Sequence, residues 1–300
     1  MNINSITHSI ASEIGFDKCS ILDCKKLDKQ AHFLETWIEN GNAADMEFLK
    51  RNQEKRHDPR LLVEGAKTII VCLVSYNSIS DKSNIARYAR FNDYHYTIRE
   101  MLMMLKSRLQ EHIKIDVARA FCDSAPVMER SWAAEGKLGW IGKNSMLINQ
   151  ELGSFTLIGS LIIDAHIEPD KISGIHPDRC GNCNRCINAC PTQAISKERC
   201  INANRCLAYH TIENRGEIPD EIARKIGNVK FGCDICQEVC PWNSRAKICT
   251  NTNFLPQDLL LNIDLNELHS MSDEQFKVRY KESSLLRTGK DNLIRNLKTE

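Results

Sequence analysis

The chain has 300 residues, with 40 Lys and Arg against 39 Asp and Glu for a net charge of +1, and 42% of its residues are hydrophobic. This composition fits a soluble globular protein of about two domains with enough chain to bury a real core. It excludes the bulk positive field that marks many nucleic-acid binders. No apolar run approaches the roughly 20 residues that span a bilayer. Met1–Gly15 has no signal-peptide pattern, and 14 cysteines without an export signal imply a reducing compartment, so a cytoplasmic protein with no membrane contact is expected.

Residues 3–14 have apolar positions at helical spacing and end at Gly15. Cys19–Leu22 reads as a short strand, His32–Glu39 as a helix stopped by Asn40-Gly41, and Asp45–Lys50 as a further helix. Lys67–Tyr76 is continuously apolar and β-branched, the pattern of a central strand buried on both faces. Tyr94–His112 is an amphipathic helix whose Met101, Met103 and Met104 read as core. Val117–Cys122 reads as a strand, Val127–Glu135 as a helix, and Ser145–Ile148 and Phe155–Ile163 as strands around a Glu151–Gly153 turn. Their largely alternating order predicts an α/β layered domain over residues 1–165. Asp164–Arg179 reads as a linker. A cysteine-rich module follows over residues 166–248, with a helical insert at Tyr209–Ile226, and a helical C-terminal segment occupies 249–300.

The cysteine module carries the strongest chemical signal. Cys180, Cys183 and Cys186, followed by Cys190-Pro191, have the spacing of a bacterial ferredoxin loop. Cys233, Cys236 and Cys240-Pro241 repeat it, with Lys230 in place of the first cysteine. Zinc also accepts two-residue cysteine spacings, but its sites rarely carry three evenly spaced thiolates before Cys-Pro. In two-cluster ferredoxins the cysteine before the proline reaches across to the other cluster. That rule predicts one [4Fe–4S] cluster on Cys180, Cys183, Cys186 and Cys240. The second would take Cys190, Cys233, Cys236 and one further thiolate, with Cys200 and Cys206 both open. The remaining cysteines, Cys19, Cys24, Cys72, Cys122 and Cys249, lack metal spacing and read as inert buried thiols.

Such a module fused to a larger domain serves as a wire to a second redox site. The best candidate patch for that site runs from Cys122 to Ser145. Asp123 follows a strand, where sheets commonly place ligands, although an Asp before Ser124 and Pro126 also reads as a cap or turn. Gly136, Gly139 and Gly142 with Lys143 fail the phosphate-loop pattern and read as room for the backbone to approach a large flat ligand. His95 alone reads as a structural histidine.

Taken together, Asp123-Ser-Ala-Pro-x-Met-Glu-Arg, Gly139-Trp-Ile-Gly-Lys-Asn, Arg205-Cys-Leu-Ala-Tyr-His-Thr-Ile-Glu and Gly232-Cys-Asp-x-Cys-Gln-x-x-Cys-Pro-Trp-Asn resemble the epoxyqueuosine reductase family over about residues 1–290. The resemblance implies a nitroreductase- or reductive-dehalogenase-like domain holding base-off cobalamin, and two [4Fe–4S] clusters feeding electrons to give cob(I)alamin. It implies a tRNA substrate with epoxyqueuosine at the wobble position, reduced to queuosine in the last step of queuosine biosynthesis. It makes Asp123 the proton donor to the epoxide oxygen, in a desolvated site that keeps the acid protonated. It also selects Cys206 as the missing cluster ligand, and places Arg56, Lys143, Ser145, Leu147, Ala208 and Asp234 near the cobalamin or its pocket. Trp140 and Trp242 read either as stacking platforms for RNA or as core. An external donor such as a ferredoxin or flavodoxin and a monomeric state are expected. The resemblance also brings a longer helical tail for gripping tRNA in many members; here the basic Arg287–Lys298 segment would be its remnant. The alternative is a cytoplasmic cobalamin-dependent reductive dehalogenase-like reductase of a small molecule.

Overall fold

The computed structural model describes residues 2–78, 83–171, 177–196 and 199–299. Of the expected linker, residues 172–176 lie outside this range. Helix α1 (Ile3–Ile14) starts where the Asn2 side chain accepts the Ser5 N–H at 2.8 Å. It stops at Gly15, whose φ of 106° is open to glycine and strained for other residues. There follow β1 (Lys18–Asp23), α2 (Asp28–Glu39), α3 (Gln53–His57), β2 (Thr68–Ser75), α4 (Tyr94–Leu109), β3 (Ala118–Phe121), α5 (Glu129–Glu135), β4 (Trp140–Ile141), β5 (Leu147–Ile148) and β6 (Thr156–Ile163).

The main sheet has the order β1-β2-β6-β3, and every neighbouring pair is antiparallel. β2 is buried along its whole length because both faces are covered. Ile70, Cys72 and Val74 pack with α1 and α4 residues such as Ile10, Ile98 and Leu102. Ile69, Val71 and Leu73 pack on the other side with Trp132, Leu138 and Leu147. The two-residue period of the strand thus divides one apolar run between two cores. Helix α4 lies close against β6 at Gly159, where a Cβ would come within 2.6 Å of Ile98 Cγ2 and 3.0 Å of Leu102 Cδ1. Only a glycine fits at that spacing.

Three expected elements differ. The helix expected at 45–50 is a single 3-10 turn, Glu47–Leu49. The strand expected from Ser145 begins only at Leu147, because Ser145 closes a turn onto the Gly142 carbonyl with φ at 60°. The insert at 209–226 divides into α7 (Leu207–Ile212) and α8 (Asp220–Ala223), with Pro219 setting the start of the second.

In the cysteine module α6 (Arg185–Ala189) packs against α9 (Ile235–Glu238). A buried polar network ties the module to the sheet. Asn243 accepts the Ser154 N–H at 2.6 Å and donates to the Gln237 carbonyl at 2.7 Å, while Ser154 Oγ donates to Gln237 Oε1 at 2.9 Å. The C-terminal helices α10 (Leu265–Ser270), α11 (Asp273–Arg279) and α12 (Lys290–Leu297) are not a loose appendage. Leu268, Phe276, Tyr280 and Leu293 share one core with Ile85, Ala89 and Phe231.

Candidate active site and cysteine loops

Asp123 stands just past the end of β3 with φ at 50°, the left-handed region that is uncommon for a residue bearing a Cβ. Its N–H donates to Glu129 Oε1 at 2.8 Å, at the start of α5, so the motif Asp-Ser-Ala-Pro-x-Met-Glu closes on itself. The Tyr94 hydroxyl donates to Asp123 Oδ2 at 2.7 Å, and His95 Nε2 lies 3.9 Å from the same oxygen. The His95 ring stacks on Tyr94 with centroids 4.1 Å apart, and its Nδ1 meets Asp93 Oδ1 at 2.6 Å. Asp93 also caps α4 by accepting the His95 N–H. One carboxylate therefore both starts the helix and orients the imidazole.

The electrostatics divide these groups into proton holders and charge carriers. Burial, with Asp123 beside it, raises the Tyr94 phenol well above its ordinary range, so it stays a donor. Burial, reinforced by the Asp123 charge, pushes the Glu129 carboxyl up to about 8. Against desolvation, the hydrogen bonds with His95 hold Asp93 below the usual carboxylate range. The Asp123 side chain is 69% exposed, so the desolvated setting expected for it is not supplied by the fold alone in this conformation. Sequence reasoning missed Tyr94 and Glu129 and took His95 as structural. The only sequence signals for the three were a Tyr-His pair after an Asp cap and a Glu inside the Asp123 motif.

Arg56, in α3, reaches this loop. Burial lowers its guanidinium pKa while Glu129 opposes the shift, and its buried Nε has no hydrogen-bond partner among the described residues. The other expected pocket residues go to different surroundings. Lys143 Nζ donates to the carbonyls of Gly181 and Cys183 at 2.8 and 3.0 Å and to Asn184 Oδ1 at 3.0 Å, so its ammonium caps the first cysteine loop. Ser145 Oγ donates to the Arg199 carbonyl at 2.6 Å. Leu147 is 2% exposed and sits in the sheet core, which leaves only its backbone for a ligand. Asp234 is buried, accepting from the Arg87 N–H at 2.7 Å and Gln237 Nε2 at 3.1 Å, and burial raises its pKa. Burial raises the Cys206 thiol pKa, and the nearby backbone N–H groups of Tyr209 and Ala208 oppose that shift.

The glycines of the patch also have another purpose than the one expected. A Cβ at Gly139 would lie 2.4 Å from the Ile148 carbonyl oxygen, and one at Gly142 would lie 2.4 Å from Ile148 Cδ1. They allow close packing within the β4–β5 hairpin. Trp140 and Trp242 meet edge to face at 5.1 Å and pack with Ile148, Cys240 and Cys180, with Trp140 only 4% exposed. Of the basic tail, Arg287 is paired with Glu213 through two bonds of 2.6 and 2.8 Å, Lys290 with Asp273 at 2.7 Å, and Arg295 donates to the carbonyls of His210, Asn214 and Gly216. These cations hold the C-terminal helices in place. Arg287 also lies within the field of Asp123 and Tyr94.

The cysteines fall into two neighbourhoods. Cys180, Cys183, Cys186 and Cys240 line one cavity with Trp242, Pro241 and Lys143. Cys233 feels the charges of Cys206 and Cys190, and Cys236 those of Cys233 and Cys206. An open groove of about 580 Å³ runs outside Cys240 between α6 and α9, lined by Arg185, Asn188, Glu238 and Ser244.

The family described as a 4Fe-4S double cluster binding domain matches residues 179–243. Beside the antiparallel sheet and its carboxylate site, the chain thus carries an iron–sulfur double-cluster domain. The family described as epoxyqueuosine reductase QueG, DUF1730, matches residues 56–124. The chain is 39% identical over 293 residues to the epoxyqueuosine reductase of Cellulophaga algicola, covering 96% of this chain and 94% of that protein. It is 41% identical over 294 residues to that of Leadbetterella byssophila, covering 96% and 95%. A crystal structure of epoxyqueuosine reductase with an epoxyqueuosine-modified tRNA-Tyr stem loop superposes with a TM-score of 0.89 at 28% identity, covering 98% of this chain and 80% of that one. The Bacillus subtilis enzyme, solved with its aspartate catalytic loop swung out of the active site, gives 0.87 at 28% identity, covering 98% of this chain and 80% of that one. The chain belongs to the epoxyqueuosine reductase family of oxidoreductases.

Proposed function

We propose that this protein reduces epoxyqueuosine to queuosine in tRNA, with Asp123 as the acid that protonates the epoxide oxygen. The reading is supported above all by Asp123 itself: a carboxyl at a sheet edge, held in a strained turn, hydrogen-bonded by Tyr94 and open to a large substrate. The net change is an epoxide plus two electrons and two protons giving an alkene and water. Opening the ring leaves an alkoxide, and a positioned acid is worth about 10²–10⁴-fold in such a step. The modified nucleoside, closing over the exposed carboxyl, excludes water from it. Tyr94 keeps the carboxyl oriented, and Asp93 fixes the His95 ring beside it.

Two [4Fe–4S] clusters, which would supply one-electron transfer when bound, would be held by Cys180, Cys183, Cys186 and Cys240 and by Cys190, Cys206, Cys233 and Cys236. The donor chemistry fits, since both groups are thiols, and the first group surrounds one cavity. The groove beside Cys240 offers an approach for an external reductant such as a ferredoxin or flavodoxin.

A cobalamin would fit on the Asp123 side of the sheet. Arg56 carries a buried donor with no partner among the described residues, the kind of group that a ligand oxygen satisfies. When bound, the corrinoid supplies a strongly reducing cobalt centre. Lys143, Ala208 and Asp234 act at one remove, by holding the cysteine loops.

The test is a single-turnover assay of anaerobically reconstituted protein with cobalamin, a viologen-mediated reductant and epoxyqueuosine-bearing tRNA, read by nucleoside mass spectrometry. Queuosine from the wild type, and a sharp loss in Asp123→Asn with clusters intact, is the expected result. No product despite intact clusters and bound corrinoid would overturn the reading.

A further inference from the structure

Away from both the cysteine loops and Asp123, Cys19, His8 and Asp170 form a relay on the outer edge of the sheet. Cys19 Sγ lies 3.1 Å from His8 Nδ1, and His8 Nε2 lies 2.8 Å from Asp170 Oδ1. The carboxylate is itself fixed: Asn4 Nδ2 donates to Oδ1 at 3.0 Å and the Ile21 N–H donates to Oδ2 at 3.0 Å. An Nε2–H directed at a carboxylate leaves Nδ1 as the acceptor, and the thiol proton is the one within its reach. Cys19 is partly exposed, whereas Cys72, its direct partner across the β1–β2 ladder, is completely buried. Directly opposed residues on antiparallel strands have Cα atoms about 4.5–5.5 Å apart, inside the range that a disulfide bridges.

We infer that Cys19 is an activated thiol and that Cys19 and Cys72 together form a dithiol pair that reacts with hydrogen peroxide. The thiolate of Cys19 attacks one peroxide oxygen, the O–O bond breaks, and the leaving oxygen departs as water after taking up the proton held on His8. Cys19 is then a sulfenic acid. The Cys72 sulfur attacks the Cys19 sulfur, the S–O bond breaks, and a second water leaves with the Cys72 proton. Two thiols and one peroxide become one disulfide and two waters. The chemical logic is that of sensor cysteines, which combine thiolate character, access and a resolving thiol.

The electrostatics agree with the geometry. The hydrogen bond from Cys72, followed by that of His8, lowers the Cys19 pKa against its desolvation, while Asp170 and Cys19 raise that of His8. Cys24 shows the contrast, since burial without such partners pushes its thiol up to about 12. A purely structural relay would pin α1 to the sheet edge and leave Cys19 as unreactive as Cys24.

Cys19 and Cys24 fall within one tryptic peptide, between Lys18 and Lys25, which gives an internal control. The cluster-loaded, anaerobic holoprotein is pulsed with iodoacetamide at neutral pH and the two sites are distinguished by fragmentation. Cys19 should be labelled at least about tenfold faster than Cys24, and His8→Gln should slow its labelling about five- to tenfold with cluster absorbance unchanged. Asp170→Asn serves as the second variant and should slow it less. Equal labelling of the two cysteines, or a rate at Cys19 indifferent to His8 and Asp170, overturns the activated thiol. In parallel, one equivalent of hydrogen peroxide should join the Cys19 and Cys72 peptides with the loss of two hydrogens. Sulfinic acid at Cys19 with Cys72 still reduced, or a bridge from Cys19 to any cluster cysteine, overturns the dithiol pair.

Discussion

The cysteine loops and the Asp123 site are assembled in opposite ways. The first loop brings three thiols together within a few residues and the second brings two, and only Cys240, Cys190 and Cys206 must arrive from a distance. Apart from Glu129, six positions on, the Asp123 site is gathered from a distance: Tyr94 and His95 from the first turn of α4, Arg56 from α3 and Arg287 from the C-terminal segment. A site built on local spacing fails when a donor is lost. One built on tertiary placement fails when an element moves, even with every functional group present.

The largest effect belongs to the loops. Cys240→Ser should abolish turnover and cut iron from about eight to about four atoms per chain, with the circular dichroism of the sheet retained. If iron is instead lost from the Cys233 side, the crossed ligand assignment is wrong. Asp123→Asn comes next, a loss of about 10²–10⁴-fold in the single-turnover rate with iron content unchanged. Tyr94→Phe removes one hydrogen bond to a carboxylate, worth about 1.5–3 kcal/mol, and should slow the chemical step about 10- to 100-fold without changing tRNA binding. A change in binding alone would show that Tyr94 contacts substrate and does not orient the acid. The smallest effect concerns stability. Glu129 has a folded-state pKa of about 8 against an ordinary 4.5, so the native state binds the extra proton between those values. Its contribution is complete at low pH and falls as pH rises toward 8, at no more than about 1.4 kcal/mol per pH unit. Urea titrations at pH 5, 6.5 and 8 should show that slope, and Glu129→Gln should flatten it.

What could be read from the sequence follows the same division. The ferredoxin spacing identifies the cysteine loops because metal geometry is written in short intervals, and the apolar run of β2 announces a strand covered on both sides. The motif around Asp123 was legible as a patch, but its partners were not. Nothing in Asp93-Tyr94-His95 shows that α4 begins beside Asp123. Nor does Arg287 reveal that its charge belongs with Glu213. Lys143 and the patch glycines have residue types that suit a ligand loop, and only the structure shows the Gly181 carbonyl and the Ile148 packing that they serve. The same holds for Cys19, whose activation comes from a histidine eleven positions earlier and an aspartate beyond β6.

Gly159 has no chemistry of its own, yet it sets how deeply α4 settles on the sheet, and α4 begins with Tyr94. A single methyl group there would act as a shim under the helix. The phenol would be lifted away from Asp123 while every residue that touches substrate stayed intact. Catalytic fitness in this family can therefore be lost at a position that any inventory of reactive side chains would pass over. The tolerance of the active site is set in part by the thickness of the layer beneath it.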